Sequence, residues 1–298
     1  MTNWIIIAIV GYFLSAVSKI FDKVLLARAV SQPVVYTFYG GLLSGFVILL
    51  FPFGFAFIPI KIFFLAMGAG ALFVMSIFFL YRALKKNDAS RVVPLVVGIG
   101  PFITLVLSSI VFGESVSGYL LFSFLFLVLG GVLLSIDTAG YGRLQKQLLV
   151  DSFASSAAMG ASLVLTKAVF LHTSFINGVI WTRLGVFVTA IMLLALPRLR
   201  AYLKKHHEIN QSQIGLFFGN KIIGASGLFL VGYALANGSP SFVHALGSFE
   251  YFFVFILGFF VTIYMPRVLK EDVSPRALSF KIFGAVSLVV ALLLLSIQ

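Results

Sequence analysis

The chain has 298 residues, 61% hydrophobic and only 10% charged, with a formal net charge of +12 and no cysteine. A mean hydropathy of +1.12 leaves far more apolar surface than a water-soluble domain could cover, so a polytopic membrane protein is expected. The missing thiols exclude disulfide scaffolds, Cys-ligated zinc, iron–sulfur clusters and thiol catalysis.

Apolar runs set against polar breaks predict ten membrane spans, at 4–25, 34–51, 62–81, 91–112, 118–136, 150–171, 175–196, 213–236, 240–264 and 277–297. Each is about the length that crosses a hydrocarbon core of ~30 Å. The start of the chain shows neither a basic n-region nor a small-residue cleavage pattern, so the first span is expected to be retained rather than removed as a signal peptide. The breaks, among them Pro52 to Pro59, Arg82 to Ser90, Asp137 to Asp151 and Pro197 to Gln213, are too short for a soluble domain.

The spans divide into two fives, residues 1–137 and 151–298, joined by a linker at 138–150. An offset of 144 lays Lys23 on Lys167 and Gly41 on Gly185; an offset of 151 lays Ala83-Leu84, Ser90, Val92 and Leu95 on Ala234-Leu235, Ser241, Val243 and Leu246. Glu114-Ser115-Val116-Ser117 likewise resembles Glu271-Asp272-Val273-Ser274. Five is odd, so the second copy must cross the membrane in the opposite sense, which predicts an all-α membrane protein of ten helices in two inverted five-helix repeats. The net charge would suggest nucleic acid in a soluble domain, but sorted by loop it belongs to topology. Fifteen loop bases follow odd-numbered spans and only Lys61 lies on the other side. That bias places the basic loops in the cytoplasm and both termini outside.

Between Phe79 and Ser135 the residues Tyr81, Ala83, Leu84, Asp88, Ala89, Ser90, Pro94, Pro101, Gly113, Glu114, Gly130 and Gly131 form a helix-packing pattern. It resembles the EamA domain of the drug/metabolite transporter superfamily. The resemblance implies ten helices, transport driven by a gradient, efflux as the usual direction and, against the charge bias, cytoplasmic termini. It covers nearly the whole chain but is fainter in the second half, where Met265 to Lys270 interrupts the corner, and it says little about substrate.

Charges inside the spans are the candidates for chemistry, because one at the bilayer centre costs ~3 kcal/mol or more and must pair, snorkel or face water. Lys19 and Asp22, spaced i, i+3 with Lys23 beside them, are read as a self-neutralised cluster or a ligand site. Lys23 and Lys167, near span ends, either snorkel or line a cavity. Lys221, Arg183 and Glu250 fall at similar depth, about 12–15 Å into the eighth, seventh and ninth spans at 1.5 Å per residue. They are read either as an interior ion pair or as a basic cavity in which Lys221 and Arg183 attract an anionic group and Glu250 is counter-ion or proton carrier.

Asn220, Tyr39, Trp181, His244, Ser248 and Tyr251 are candidates for the polar and aromatic remainder of that pocket, with Tyr36 and Asn177 more naturally interfacial. Pro94 and Pro101 would kink the fourth span, while Gly224 and Gly227 suit close packing or gating. No HExxH, nucleophile elbow or Walker lysine is present, so neither catalysis, nor a cofactor or metal, nor direct ATP drive is expected. The reading is a secondary transporter, an exporter by the resemblance, of a small polar metabolite, anionic or zwitterionic. It would work by alternating access around a midplane cavity in the cell (inner) membrane, as a monomer or weak dimer. A lipid-linked flippase and a non-transporting receptor or scaffold are the rivals.

Overall fold

The computed structural model describes residues 3–26, 33–86, 89–135, 146–203, 211–264 and 274–296, and among these every regular element is a helix. That follows from the solvent: hydrocarbon offers no hydrogen-bond partners, so each crossing must satisfy its own backbone. Among the described residues nine helical stretches are long and apolar enough to span a bilayer, which makes this a multi-pass membrane protein.

The long helices are α1 (Asn3–Leu26), α3 (Ile60–Lys86), α4 (Ala89–Phe112), α5 (Gly118–Ser135), α6 (Lys146–His172), α7 (Phe175–Met192), α9 (Gln211–Asn237) and α12 (Pro275–Ser296). Between them lie α2 (Pro33–Leu43) and α8 (Pro197–Leu203), and the apolar stretch Pro240–Val261 is formed jointly by α10 (Pro240–Leu246) and α11 (Ser248–Tyr264). The expected second span is the shorter one, since α2 passes at Ser44 into a 3-10 helix ending at Phe53.

Three sequence expectations are corrected. Residues 146–150, read as linker, already belong to α6, and the expected loop from Pro197 contains α8, whose Leu199 is fully buried against Val35 and Phe38. Pro94 and Pro101 lie inside α4, which is helical through both. The ninth span, expected to run unbroken over 240–264, breaks at Gly247. There Gly247 N–H turns to the His244 carbonyl and Glu250 N–H to the Gly247 carbonyl, both i to i−3. The Val243 carbonyl thus loses its helical donor, and the Tyr12 hydroxyl of α1 donates to it at 2.6 Å.

The helices pack chiefly as α1 on α9, α3 on α6 and α5 on α12, with α4 against α6 and α7 against α3. Small residues and hydroxyls line these seams. Ser18 of α1 donates to the Asn220 carbonyl at 3.4 Å, and Gly224 and Gly227 of α9 lie directly against Ser18, Ser15 and Gly11. In the α3–α6 seam Ser162 donates to the Ala69 carbonyl at 2.8 Å and Ser155 to the Ser76 carbonyl at 3.0 Å.

The sharpest main-chain approach among the described glycines joins α3 and α7. A Cβ on Gly70 would stand 2.3 Å from the Gly185 carbonyl carbon. Gly70→Val must therefore separate the two helices, at a cost of about 1–3 kcal/mol. A fall of several degrees in the unfolding midpoint in detergent is expected, whereas Gly40→Ala, whose Cβ would meet nothing within 4 Å, leaves the midpoint unchanged or slightly raised.

Candidate functional site

Two helices that are far apart in sequence bring the principal charges together. The Lys19 ammonium of α1 lies 2.9 Å from Glu250 Oε1 of α11 and sits over the Tyr251 ring, 5.2 Å from its centroid. Tyr12, one helical face along α1, is within Coulombic reach of Glu250, and Tyr81 of α3 is within reach of Lys19. The break at Gly247 shapes this group, because it re-aims the first turn of α11, in which Glu250 and Tyr251 lie.

The pair is incompletely satisfied. Glu250 Oε1 is sealed from solvent and is compensated by the ammonium as an ion pair, without a well-directed hydrogen bond. The Lys19 side chain is 52% accessible even though protein atoms crowd around it.

The other expected members are dispersed. Lys19 takes Glu250 as a partner; the side chains of Asp22, Lys23 and Tyr36 lie outside the described residues. Arg183 does not join Glu250. Its guanidinium is half-buried and packs 5.4 Å from the Phe73 ring centroid, and no described carboxylate forms an ion pair with it. Lys221 is half-buried on α9, and Asn220 is buried beside it in the α1–α9 seam. Similar depth did not bring Arg183 and Glu250 together, since depth fixes one coordinate and leaves helix azimuth open.

Trp181 and Asn177 form an interfacial clamp. Trp181 Nε1 donates to the Ala56 carbonyl at 2.9 Å, and Asn177 Oδ1 accepts from Ala56 N–H at 3.1 Å, pinning the loop before α3. Tyr39 is exposed on α2. Ser248 is buried against Gly131 of α5, so it closes a helix seam. His244 faces α4, its Nδ1 2.6 Å from Thr104 Oγ1, while that hydroxyl donates to the Gly100 carbonyl at 3.0 Å. Lys167 donates to the Ala236 and Gly238 carbonyls, each at 2.9 Å, at the end of α9.

Several residues were missed. Arg82, read as a solvated loop base, pairs with Asp151, whose side chain is 1% exposed; Gln147 adds a hydrogen bond at 2.9 Å, and the guanidinium lies over Phe79. Tyr12 and Thr104 act through single hydroxyls on carbonyls or imidazole, which leave no signature in spacing. An apolar groove of about 510 Å³ between α4 and α5, lined by residues such as Phe102, Phe122 and Leu129, holds none of these charges.

No family profile matches the chain, and no curated protein does. Solved structures share its fold: one crystal structure of a protein superposes with a TM-score of 0.72 over 98% of this chain and 99% of its own, at 16% identity. At that identity the likeness shows the fold alone.

Lys19 and Glu250 touch in a crowded setting, so their effects on stability should be strongly non-additive. In a cycle of Lys19→Met, Glu250→Gln and the double variant, unfolding in detergent is expected to give a coupling of roughly 0.5–3 kcal/mol. Arg183→Met combined with Glu250→Gln is expected to be additive.

Proposed function

We propose that this chain is a secondary transporter of a small polar metabolite, working by alternating access around the Lys19–Glu250 pair, within two inverted five-helix repeats of the EamA kind. The observation that carries this reading is the pair itself: two opposite charges on apolar helices, contributed by the two halves, the acid buried and the base accessible. Intramembrane charges of this sort mark substrate or ion pathways.

The repeat is supported by contacts that recur under the sequence offsets. Offsets of 144 and 151 carry the Ser18–Asn220 hydrogen bond onto Ser162–Ala69, and in both the hydroxyl donates to the main-chain carbonyl. They carry the Gly11–Gly227 approach onto Ser155–Ser76. Tyr12 and Ser156, again equivalent, donate to carbonyls of α10 and α4, Val243 at 2.6 Å and Val96 at 3.4 Å, the latter one helical turn beyond Val92, the residue the offset of 151 pairs with Val243. The ten-span count takes Thr37–Phe53 as the short second span.

The substrate is expected to offer an anionic group to Lys19, and a zwitterion would in addition offer its cation to Glu250. Arg183 and Lys221 supply further positive charge in the interior without being part of the pair. Efflux is the direction the resemblance implies, and a gradient is the energy source in a chain without a nucleotide-binding motif.

A thermal-shift panel of amino acids, organic acids, phosphorylated sugars, cations and lipid phosphates tests this on the purified protein, because a ligand that binds the folded state raises the apparent midpoint by mass action. Carboxylate or phosphate metabolites are expected to shift the parent, with apparent affinity reduced at least tenfold in Lys19→Met and in Glu250→Gln. Hits that bind both variants as tightly as the parent would sink the assignment of this pair. Hits confined to lipid phosphates would favour a flippase.

A further inference from the structure

At one end of the bundle, away from Lys19, four segments meet at the turn between α9 and α10. Lys167 of α6 donates to the Ala236 and Gly238 carbonyls, each at 2.9 Å, which places a cation on the last carbonyls of α9. Ser239 caps α10 by accepting from Phe242 N–H, at 3.3 Å, and Ser239 and Ser241 both donate their hydroxyl protons to Glu114 Oε1. Glu114 follows Gly113, whose left-handed φ of 67° ends α4 and swings the chain towards the turn. Trp4 of α1 lies beneath, so close that a Cβ on Gly238 would stand 2.7 Å from its ring.

Glu114 and Lys167 are within Coulombic reach of each other but grip the same turn separately, one through hydroxyls and the other through carbonyls. The second oxygen of Glu114, Oε2, is sealed and without a hydrogen-bond partner. The arrangement therefore holds only while the turn stays in place. Once the turn withdraws, the carboxylate regains water and the two serines lose one acceptor each.

We propose that Glu114 and Lys167 form a latch on the α9–α10 turn, which seals this end of the protein and must release for the site to open there. The inference rests on the transporter reading for its role. The latch crosses the two halves, since Glu114 belongs to the first and the α9–α10 turn to the second. Because α10 leads directly into the Gly247 break and Glu250, withdrawal of the turn moves the helix that bears the acidic partner of Lys19. The Gly113-Glu114 part of the resemblance thereby acquires a physical task, the stop of one helix and the tether of another.

The natural chain lacks cysteine, so paired spin labels can be placed without background. With Ser117→Cys and Asn237→Cys, both at exposed positions, double electron–electron resonance in lipid vesicles reads the distance across the latch. The parent is expected to show one dominant short distance. Glu114→Gln and Lys167→Met are each expected to raise a longer-distance population at least threefold, and Ser239→Ala/Ser241→Ala gives the same result should either charge variant fail to fold. Unchanged distance distributions in the folded variants would overturn the latch and make the turn a static brace. The measurement needs no substrate. Opening in the variants of a chain that binds and moves nothing would support the latch and count against the transporter reading instead.

Discussion

Everything in this structure depends on backbones that touch. In lipid there is no hydrophobic force to press helices together, so contact must come from close van der Waals approach and from hydroxyls that find carbonyls across a seam. The α1–α9 and α3–α6 seams do both, with Gly11, Ser15 and Ser18 facing Gly224 and Gly227, and Ser155 and Ser162 reaching into α3. These seams fix the position of α1, and hence where Lys19 emerges. The broken ninth span then decides what it meets.

Buried charge is handled in three different ways. Arg82 and Asp151 make a tight pair with Gln147 and aromatic rings around them, suited to holding α3 on α6. Lys167 is satisfied by carbonyls, and Glu114 by hydroxyls on one oxygen only. Lys19 and Glu250 are close but poorly oriented. Each of the three acids leaves one buried oxygen without a hydrogen-bond partner, Asp151 Oδ2, Glu114 Oε2 and Glu250 Oε1, so satisfaction alone does not separate them. What sets Lys19–Glu250 apart is that its base remains accessible to a visitor.

The spans were legible because hydropathy reports solvent, and a lipid environment leaves little room for other signals. Helix ends were found to within a few residues, with Gly113 and the prolines marking several. The break at Gly247 was hidden, since a glycine among apolar residues looks like any packing glycine, whereas Pro94 and Pro101 advertised kinks in a helix that runs through them. Glu250 was recognised as exceptional, but its partner was sought among neighbouring helices. Lys19 lies more than two hundred residues away, and a contact across the bundle depends on azimuth and tilt that one sequence does not record. Arg82 and Asp151 were misassigned for a related reason: each stands at the edge of a span, where a solvated base and a buried one have the same neighbours in sequence.

The phenol of Tyr12 has a mechanical consequence. It takes the carbonyl that the break at Gly247 sets free, and it does so from the helix that carries Lys19. Its hydrogen bond is therefore a pivot between two levers, α1 on one side and the short arm of α10 on the other. A rotation of α1 that draws the ammonium away from Glu250 pulls on Val243 before it reaches the acid. The two charges are thus coupled twice, once through space and once through a linkage of one hydroxyl and one loosened turn, so the bundle has a ready route by which a change at Lys19 is felt along the ninth span.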